Sequence, residues 1–167
     1  NNYNTAVGYT AGAAVTTGIS NTLIGGLAGD AFTDADFNVA LGYQALSADT
    51  LGSNSVAIGD AALRAQNFTT ATNAFNVAVG ASAGINVTTG TNNTLIGGQA
   101  GDALTDADGN VAVGYAALGV DTLGSTSTAI GLGSFANQNF TTATSTYNTA
   151  VGYHSGLNVT TGIENTL

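Results

Sequence analysis

Residues 38–42 of this 167-residue chain read Asn-Val-Ala-Leu-Gly, and variants of this five-residue phrase recur along the whole sequence. Each begins with Asn or Ser and closes with Gly after an aliphatic residue. The closing glycines are Gly8, Gly25, Gly42, Gly59, Gly80, Gly97, Gly114, Gly131 and Gly152. Their spacings of 17, 17, 17 and 21 residues occur twice and define a 72-residue super-repeat. We therefore interpret residues 1–167 as a single repeat array without a linker or second domain, and as a segment of a longer fibre.

The composition and length of the unit restrict its fold. The phrase alternates in the β sense and is rich in β-branched residues, so it predicts a strand. The Gly predicts a bend, and a second short strand is expected after it, near Ala28 and Ala45 in their respective units. Seventeen residues are too few for a strand, a crossover helix and a return strand. The sequence predicts an all-β fold, a parallel β-solenoid of about ten coils of 17–21 residues, each rising ~4.8 Å.

Both faces of the predicted strand are apolar. In residues 38–42, Val39 and Leu41 point to one face and Ala40 to the other. We assign the bulkier face to the core of the coil itself. One coil can cover only one face of its strand, so we expect a partner chain to cover the small residues. The predicted oligomer interface is Ala6, Ala40, Ala57, Ala78, Ala112, Ala129 and Ala150.

Two polar residues recur in register with the strands. The Asn that opens each phrase predicts a ladder of hydrogen bonds between successive coils, as in other stacked β-structures. A Thr near the end of each 17-residue unit predicts a second ladder. Its members are Thr16, Thr33, Thr50, Thr88, Thr105, Thr122 and Thr160.

The charge composition excludes several function classes. Charged residues make up 7% of the chain, the net charge is −9, and Arg64 is the one Lys or Arg. Nucleic acids and anionic membrane surfaces both require several cationic side chains. No apolar run approaches the ~20 residues of a membrane span, so we expect no membrane insertion in this segment. The absence of Cys excludes a disulfide scaffold and a thiolate metal site.

The phrase resembles two families of surface repeats. Residues 55–59, Ser-Val-Ala-Ile-Gly, resemble the head repeats of YadA-like trimeric adhesins, although the coils here are longer. Residues 38–46 (NVALGYQAL) and 86–90 (NVTTG) resemble the repeats of phage tail-fibre-like proteins. The resemblance implies a left-handed β-roll wound as a homotrimer, located outside the cell, on the cell surface or on a virion. It implies the shaft or head of a fibre and leaves the ligand open.

The repeat also bears on catalysis. A catalytic group is needed once, whereas an Asp that returns after 72 residues is explained by the architecture. The non-recurring polar candidates Asp60, Arg64, His154 and Glu164 fall on different coils. None of them is spaced as an acid–base or nucleophile–base pair. We therefore expect no enzymatic activity.

Residues 106–109, Asp-Ala-Asp-Gly, have the form of the start of a calcium loop, because calcium takes several oxygen ligands. The first copy, residues 34–37, lacks the Gly, and no bidentate Glu follows either copy. Turn-forming aspartates on a solvated edge are the alternative interpretation. The candidate calcium ligands are Asp30, Asp34, Asp36, Asp102, Asp106 and Asp108.

Four tyrosines directly follow a repeat Gly: Tyr9, Tyr43, Tyr115 and Tyr153. They predict either a sugar-stacking stripe or packing over the bend between coils.

The sequence is compatible with three functions. The first is a rigid fibre segment whose chains continue or stack end to end. The second is a module that binds host-surface glycan or matrix protein. The third is ice binding through Thr arrays, which is disfavoured because adjacent Thr residues in a strand face opposite sides.

Overall fold

The computed structural model describes residues 2–167, and these residues form short β-strands joined by turns, with no helix among them. The strands are β1 (Thr5–Val7), β2 (Thr22–Ile24), β3 (Val39–Leu41), β4 (Gly52–Ser53), β5 (Val56–Ile58), β6 (Thr72–Asn73), β7 (Val77–Val79), β8 (Thr94–Ile96), β9 (Val111–Val113), β10 (Gly124–Ser125), β11 (Thr128–Ile130), β12 (Thr144–Ser145) and β13 (Thr149–Val151). Every three-residue strand falls within a phrase of the repeat. The predicted all-β, parallel β-solenoid is confirmed.

The sheet follows the sequence period. Over residues 2–167, one nine-stranded parallel sheet has the order β1-β2-β3-β5-β7-β8-β9-β11-β13. Ala40 pairs with Ala57 across 17 residues, and Ala57 pairs with Ala78 across 21. The longer coil therefore leaves the register of the main sheet unchanged. Beside the two longer coils, β4 pairs with β6 and β10 with β12, each in parallel.

A chain of turns takes the place of the predicted second strand. Gln44 and Leu46 have φ of 56° and 52°, in the left-handed region. The N–H of Ala45, which lies between them, bonds back to the Gly42 carbonyl at 3.4 Å. The N–H groups of Gln44 and Leu46 instead reach the neighbouring coils, at Gly26 O (3.0 Å) and Ala62 O (3.1 Å). The prediction of a strand here is wrong because alternate left-handed residues cannot form an extended strand.

The interior of the solenoid lies on the small-residue side of the strands. The side chains of Ala40 and Ala78 are fully buried within the single chain, while Leu41 on the opposite face is 39% exposed. The predicted facing was therefore reversed. The other predicted interface residues that are also fully buried within their own chain are Ala57, Ala112, Ala129 and Ala150. These buried residues cannot contact a partner chain. Ala6, which lies in the first strand, is the one member of the predicted set that is exposed.

The reversal has a physical reason in the turns. The bulk of the core comes from turn residues such as Leu46 and Phe135, which pack beneath the small strand residues Ala40 and Ala129. Where the strand residue is instead Leu95, the equivalent turn position is Gly101, and a Cβ there would lie 2.8 Å from Leu95 Cδ2. At Gly84, which follows the small strand residue Ala78, a Cβ would lie 2.7 Å from Cδ1 of Leu95 on the next coil. Space left by a glycine turn is thus filled by a leucine of the same or the next coil.

Candidate functional site

The outer face of the nine-stranded sheet is an aliphatic ladder. Ile24 (36%), Leu41 (39%), Ile96 (40%) and Ile130 (38%) are exposed one residue before each closing Gly. The residues three before the Gly are Thr or Val, and most are half-buried. Sequence reasoning placed this ladder inside the coil. In the structure it is a regular, uncharged surface that the single chain leaves uncovered.

The Asn ladder holds the edge of this surface in register. The Asn38 side chain donates from Nδ2 to the Gly52 carbonyl at 2.9 Å. Its Oδ1 accepts from the N–H of Ser55 on the next coil at 2.8 Å. The same two bonds recur at Asn93, with Ala107 O (2.8 Å) and Asn110 N (3.0 Å). The predicted coil-to-coil ladder is confirmed, although its bonds run mainly from side chain to backbone.

The Thr ladder is confirmed as well. Thr33 Oγ1 donates to the Thr50 carbonyl at 3.2 Å, and Thr105 Oγ1 donates to the Thr122 carbonyl at 3.1 Å. Thr50 and Thr122 each donate to a Phe carbonyl of the longer coil that follows, at 2.9 Å. These hydroxyls therefore join successive coils.

The four predicted tyrosines all lie on the surface. Tyr9 and Tyr153 are 80% and 73% exposed, and Tyr43 and Tyr115 are 54% and 57% exposed. Tyr43 lies against the neighbouring coil, where a Cβ at Gly26 would be 3.4 Å from its Cδ2. Tyr153 stacks on His154 with ring centroids 3.9 Å apart. Packing over the bend thus occurs at Tyr43, but over half of its surface stays accessible.

A second aromatic row was missed by sequence reasoning. Tyr3, Phe37, Phe75 and Tyr147 each directly precede a phrase Asn and have φ of 51°, 59°, 51° and 50°. They are 77%, 53%, 53% and 62% exposed, respectively. We call these four residues the corner row. Their constant position before the phrase Asn is the sequence signal that could have revealed this row. The sequence did not indicate that the position is exposed and has a left-handed backbone.

The carboxylates proposed for calcium take part in coil-to-coil bonds. Asp34 Oδ1 accepts from Thr17 Oγ1 (2.5 Å), and Asp36 Oδ1 accepts from Ile19 N (2.8 Å). In the second copy, Asp108 Oδ1 accepts from the N–H and hydroxyl of Thr91 at 2.6 and 2.9 Å, while Asp106 is exposed. Within residues 2–167, no three His, Asp or Glu side chains are grouped as a metal site. Calcium binding stays a prediction.

Asp30 and Asp102, the remaining calcium candidates, are half-buried at equivalent positions of the two super-repeats. Asp30 Oδ1 is a buried oxygen without a hydrogen-bond partner among the described residues. Burial raises the pKa of the Asp102 carboxyl above its ordinary value, against the opposing effect of backbone N–H donors. Asp30 and Asp102 are therefore partly withdrawn from water, whereas Asp106 is exposed.

A buried polar cluster, also missed, joins each longer coil to the coil before it. In the first copy, Asp49 Oδ2 accepts from Gln66 Nε2 at 2.6 Å, and its Oδ1 accepts from the N–H groups of Gly52 (3.0 Å) and Phe68 (3.2 Å). Gln66 Oε1 in turn accepts from Asn76 Nδ2 at 2.9 Å. Burial raises the pKa of the Asp49 carboxyl, although hydrogen bonds from Gln66 and the backbone oppose the rise.

The second copy repeats this geometry. Gln138 Nε2 donates to Asp121 Oδ2 at 2.6 Å and to Ser127 Oγ at 2.8 Å. Its Oε1 accepts from Asn148 Nδ2 at 2.8 Å. The side chains of Asp121, Gln138 and Ser127 are fully buried. The recurrence of Asp49 as Asp121 is therefore architectural, as the repeat predicts, and the cluster holds the coil together.

No protein-family model, curated protein or solved structure matches this chain. The described residues contain no helix that is long and apolar enough to cross a membrane, and they enclose no pocket. The candidate surfaces are therefore the aliphatic ladder and the two exposed aromatic rows.

Proposed function

We propose that this chain is a rigid segment of an extracellular, cell-surface or virion fibre, in which three copies associate through the aliphatic ladder. In this proposal the coils wind left-handedly, as the resemblance to adhesin head repeats implies. The chains either continue beyond this segment or stack end to end. The observation that carries the proposal is the uncovered ladder on the outer face of nine in-register strands.

The size of the ladder supports self-association. Nine strands at ~4.8 Å per step give a strip about 38 Å long. Its exposed members are aliphatic, from Val7 at 58% to Val151 at 59% exposure. Soluble monomers rarely expose contiguous apolar patches of more than a few hundred Å². A second and third copy of the same flat strip would cover it along its full length.

The charge of the chain favours the same contact. With a net charge of −9 and Arg64 as its sole Lys or Arg, one chain offers little for ion pairing with another. The ladder positions one and three residues before each Gly carry no charge. Association through this strip therefore removes apolar surface from water without desolvating a carboxylate.

The stacked coils account for rigidity. Each coil is joined to the next by the main sheet, by the Asn ladder and by the Thr ladder. Bending the rod would stretch hydrogen bonds on one side of every coil. A shaft that must hold its length needs this arrangement.

The test is sedimentation equilibrium on the wild-type chain and two variants. The wild type should sediment at three times the 16.3 kDa chain mass. Ile96→Arg places a cation on the ladder and should yield folded monomer, because three cations would meet in an apolar contact. Asp106→Arg, on an exposed turn, is the matched control and should remain trimeric. A wild-type chain that is monomeric and folded would refute the trimer.

A further inference from the structure

The corner row occupies a costly backbone position. Left-handed φ is unfavourable for bulky residues, and its cost must be offset elsewhere. At Leu46 and Leu63, with φ of 52° and 49°, complete burial of the side chain offsets that cost. Phe37 and Phe75 have the same backbone but leave 53% of their surface in water. Folding alone does not account for aromatic rings at this corner.

The other coils show that the corner tolerates polar residues. Ser20, Asn54, Asn92 and Thr126 occupy it with φ of 57°, 61°, 59° and 61°. Asn is the non-glycine residue best suited to this conformation. Rings and polar groups therefore share one line of the rod, which is the composition of a surface that stacks against sugar rings and bonds their hydroxyls.

The spacing of the rings is regular. Tyr3, Phe37 and Phe75 precede β1, β3 and β7, which lie two steps apart in the sheet order. Tyr147 precedes β13, four steps beyond β7, and Gly109 occupies the corner midway. Two coils correspond to ~9.6 Å. That distance is close to the length of one disaccharide unit in an extended, β-linked polysaccharide.

The charge of the chain selects the class of glycan. Asp36 directly precedes Phe37, and a single Arg in the sequence opposes ten acidic residues. A sulfated, sialylated or phosphorylated glycan would be repelled by this surface. A neutral chain of sugars would not be.

From these observations we propose that Tyr3, Phe37, Phe75 and Tyr147 bind a neutral, extended, β-linked polysaccharide that runs parallel to the solenoid axis. Rings on every second coil stack against successive disaccharide units, and therefore on every second sugar. The polar corners between them, such as Asn54 and Asn92, face the intervening hydroxyls. The inference goes beyond the fibre role and does not depend on whether the chains form trimers.

Titration calorimetry with cellohexaose, mannohexaose and xylohexaose tests this proposal on the intact chain. The wild type should bind at least one of them and should bind neither maltohexaose, whose α-links curve the chain, nor a heparin hexasaccharide. The double variant Phe37→Ser/Phe75→Ser should lose about fivefold in affinity for each ring removed, which corresponds to ~1 kcal/mol of stacking energy per ring. The control Val120→Ser/Leu132→Ser removes exposed apolar surface outside the row and should change affinity less than twofold.

A shifted variant tests the spacing separately. Ser20→Phe/Phe37→Ser keeps the number of rings but moves one of them by a single coil, and it should lose as much affinity as Phe37→Ser alone. The proposal is overturned if no β-linked hexasaccharide binds, if the shifted variant binds like the wild type, or if Phe37→Ser/Phe75→Ser changes only the sedimentation mass. That last result would make the corner row a self-association surface. The trimer proposal has its own readout in Ile96→Arg.

Discussion

The 17-residue coil that contains β8 and the 21-residue coil that contains β11 fill their interiors by different means. Around β8 the interior is apolar, with Leu95, Ala100 and Leu104 fully buried. Around β11 it holds the Asp121–Gln138 pair. In the shorter coil, Asn93 reaches the next coil directly at Asn110. In the longer coil Ser127 replaces Asn, and Gln138 links Ser127 to Asn148. The comparison shows that a four-residue insertion is absorbed when a buried side chain continues the interrupted ladder.

The largest expected effect is at the centre of the polar cluster. Asp121→Ala leaves Gln138 Nε2 and the N–H groups of Gly124 and Phe140 without their acceptor in the interior. We expect a loss of about 3–5 kcal/mol in the free energy of unfolding, measured by urea denaturation. The control Asp106→Ala, on an exposed turn, should lose less than about 0.5 kcal/mol. Equal losses in the two variants would mean that the cluster does not hold the longer coil.

The apolar coil is tested by Leu95→Ala, which should cost about 3 kcal/mol because it leaves a cavity where Gly101 provides no side chain to fill it. Its neighbour Ile96→Ala, on the outer face, is the control. Any loss at Ile96 should depend on protein concentration in denaturation experiments, since that side chain contacts only another copy in the proposed trimer. A concentration-independent loss at Ile96 as large as that at Leu95 would contradict the observed facing.

The two forms of the ladder can be compared directly. Asn93→Ala leaves the Ala107 carbonyl and the Asn110 N–H unpaired, at a cost of about 2 kcal/mol. Ser127→Ala should cost about 1 kcal/mol, because Gln138 keeps its bonds to Asp121 and Asn148. Thermal melts of the two variants would show which substitution causes the larger loss of stability. A larger loss at Ser127 would show that the hydroxyl, rather than Gln138, carries the link.

The smallest expected effect is the change of thermal stability with pH. Burial raises the pKa of Asp49, so its charged form is disfavoured in the folded chain. Its contribution to stability is complete below the unfolded-state pKa and is lost as the pH rises through the folded-state pKa. The melting temperature should therefore rise as the pH falls from neutral through the folded-state pKa of Asp49, which lies above the ordinary value for Asp. Asp49→Asn should reduce the pH dependence, and an unchanged slope in that variant would assign the effect to other carboxylates such as Asp102.

Much of the fold could be predicted from the sequence because the period of the glycines fixes the register of the strands. The Asn and Thr ladders followed from the same period. The facing of the strand could not be predicted, because Ala40 is small enough for either side, and the turn conformation decides which side Leu46 fills. The Asp49–Gln66 pair was equally hidden, since its members are 17 residues apart and belong to different coils. The exposure of Phe37 depends on a left-handed corner that the sequence pattern does not indicate.

The column of closing glycines limits how such a chain can change in length. Gly97 has φ of 132°, and a Cβ on it would lie 2.6 Å from the carbonyl oxygen of Gly114 on the next coil. Each glycine thus excludes a side chain from its neighbour, and a shift of one residue would break every contact along the column. Duplication or loss of whole coils keeps the column intact, and insertions are accommodated only away from it, as in the longer coils. Length variation in such a chain should therefore come in whole units, so that the number of coils acts as a ruler for the length of the solenoid.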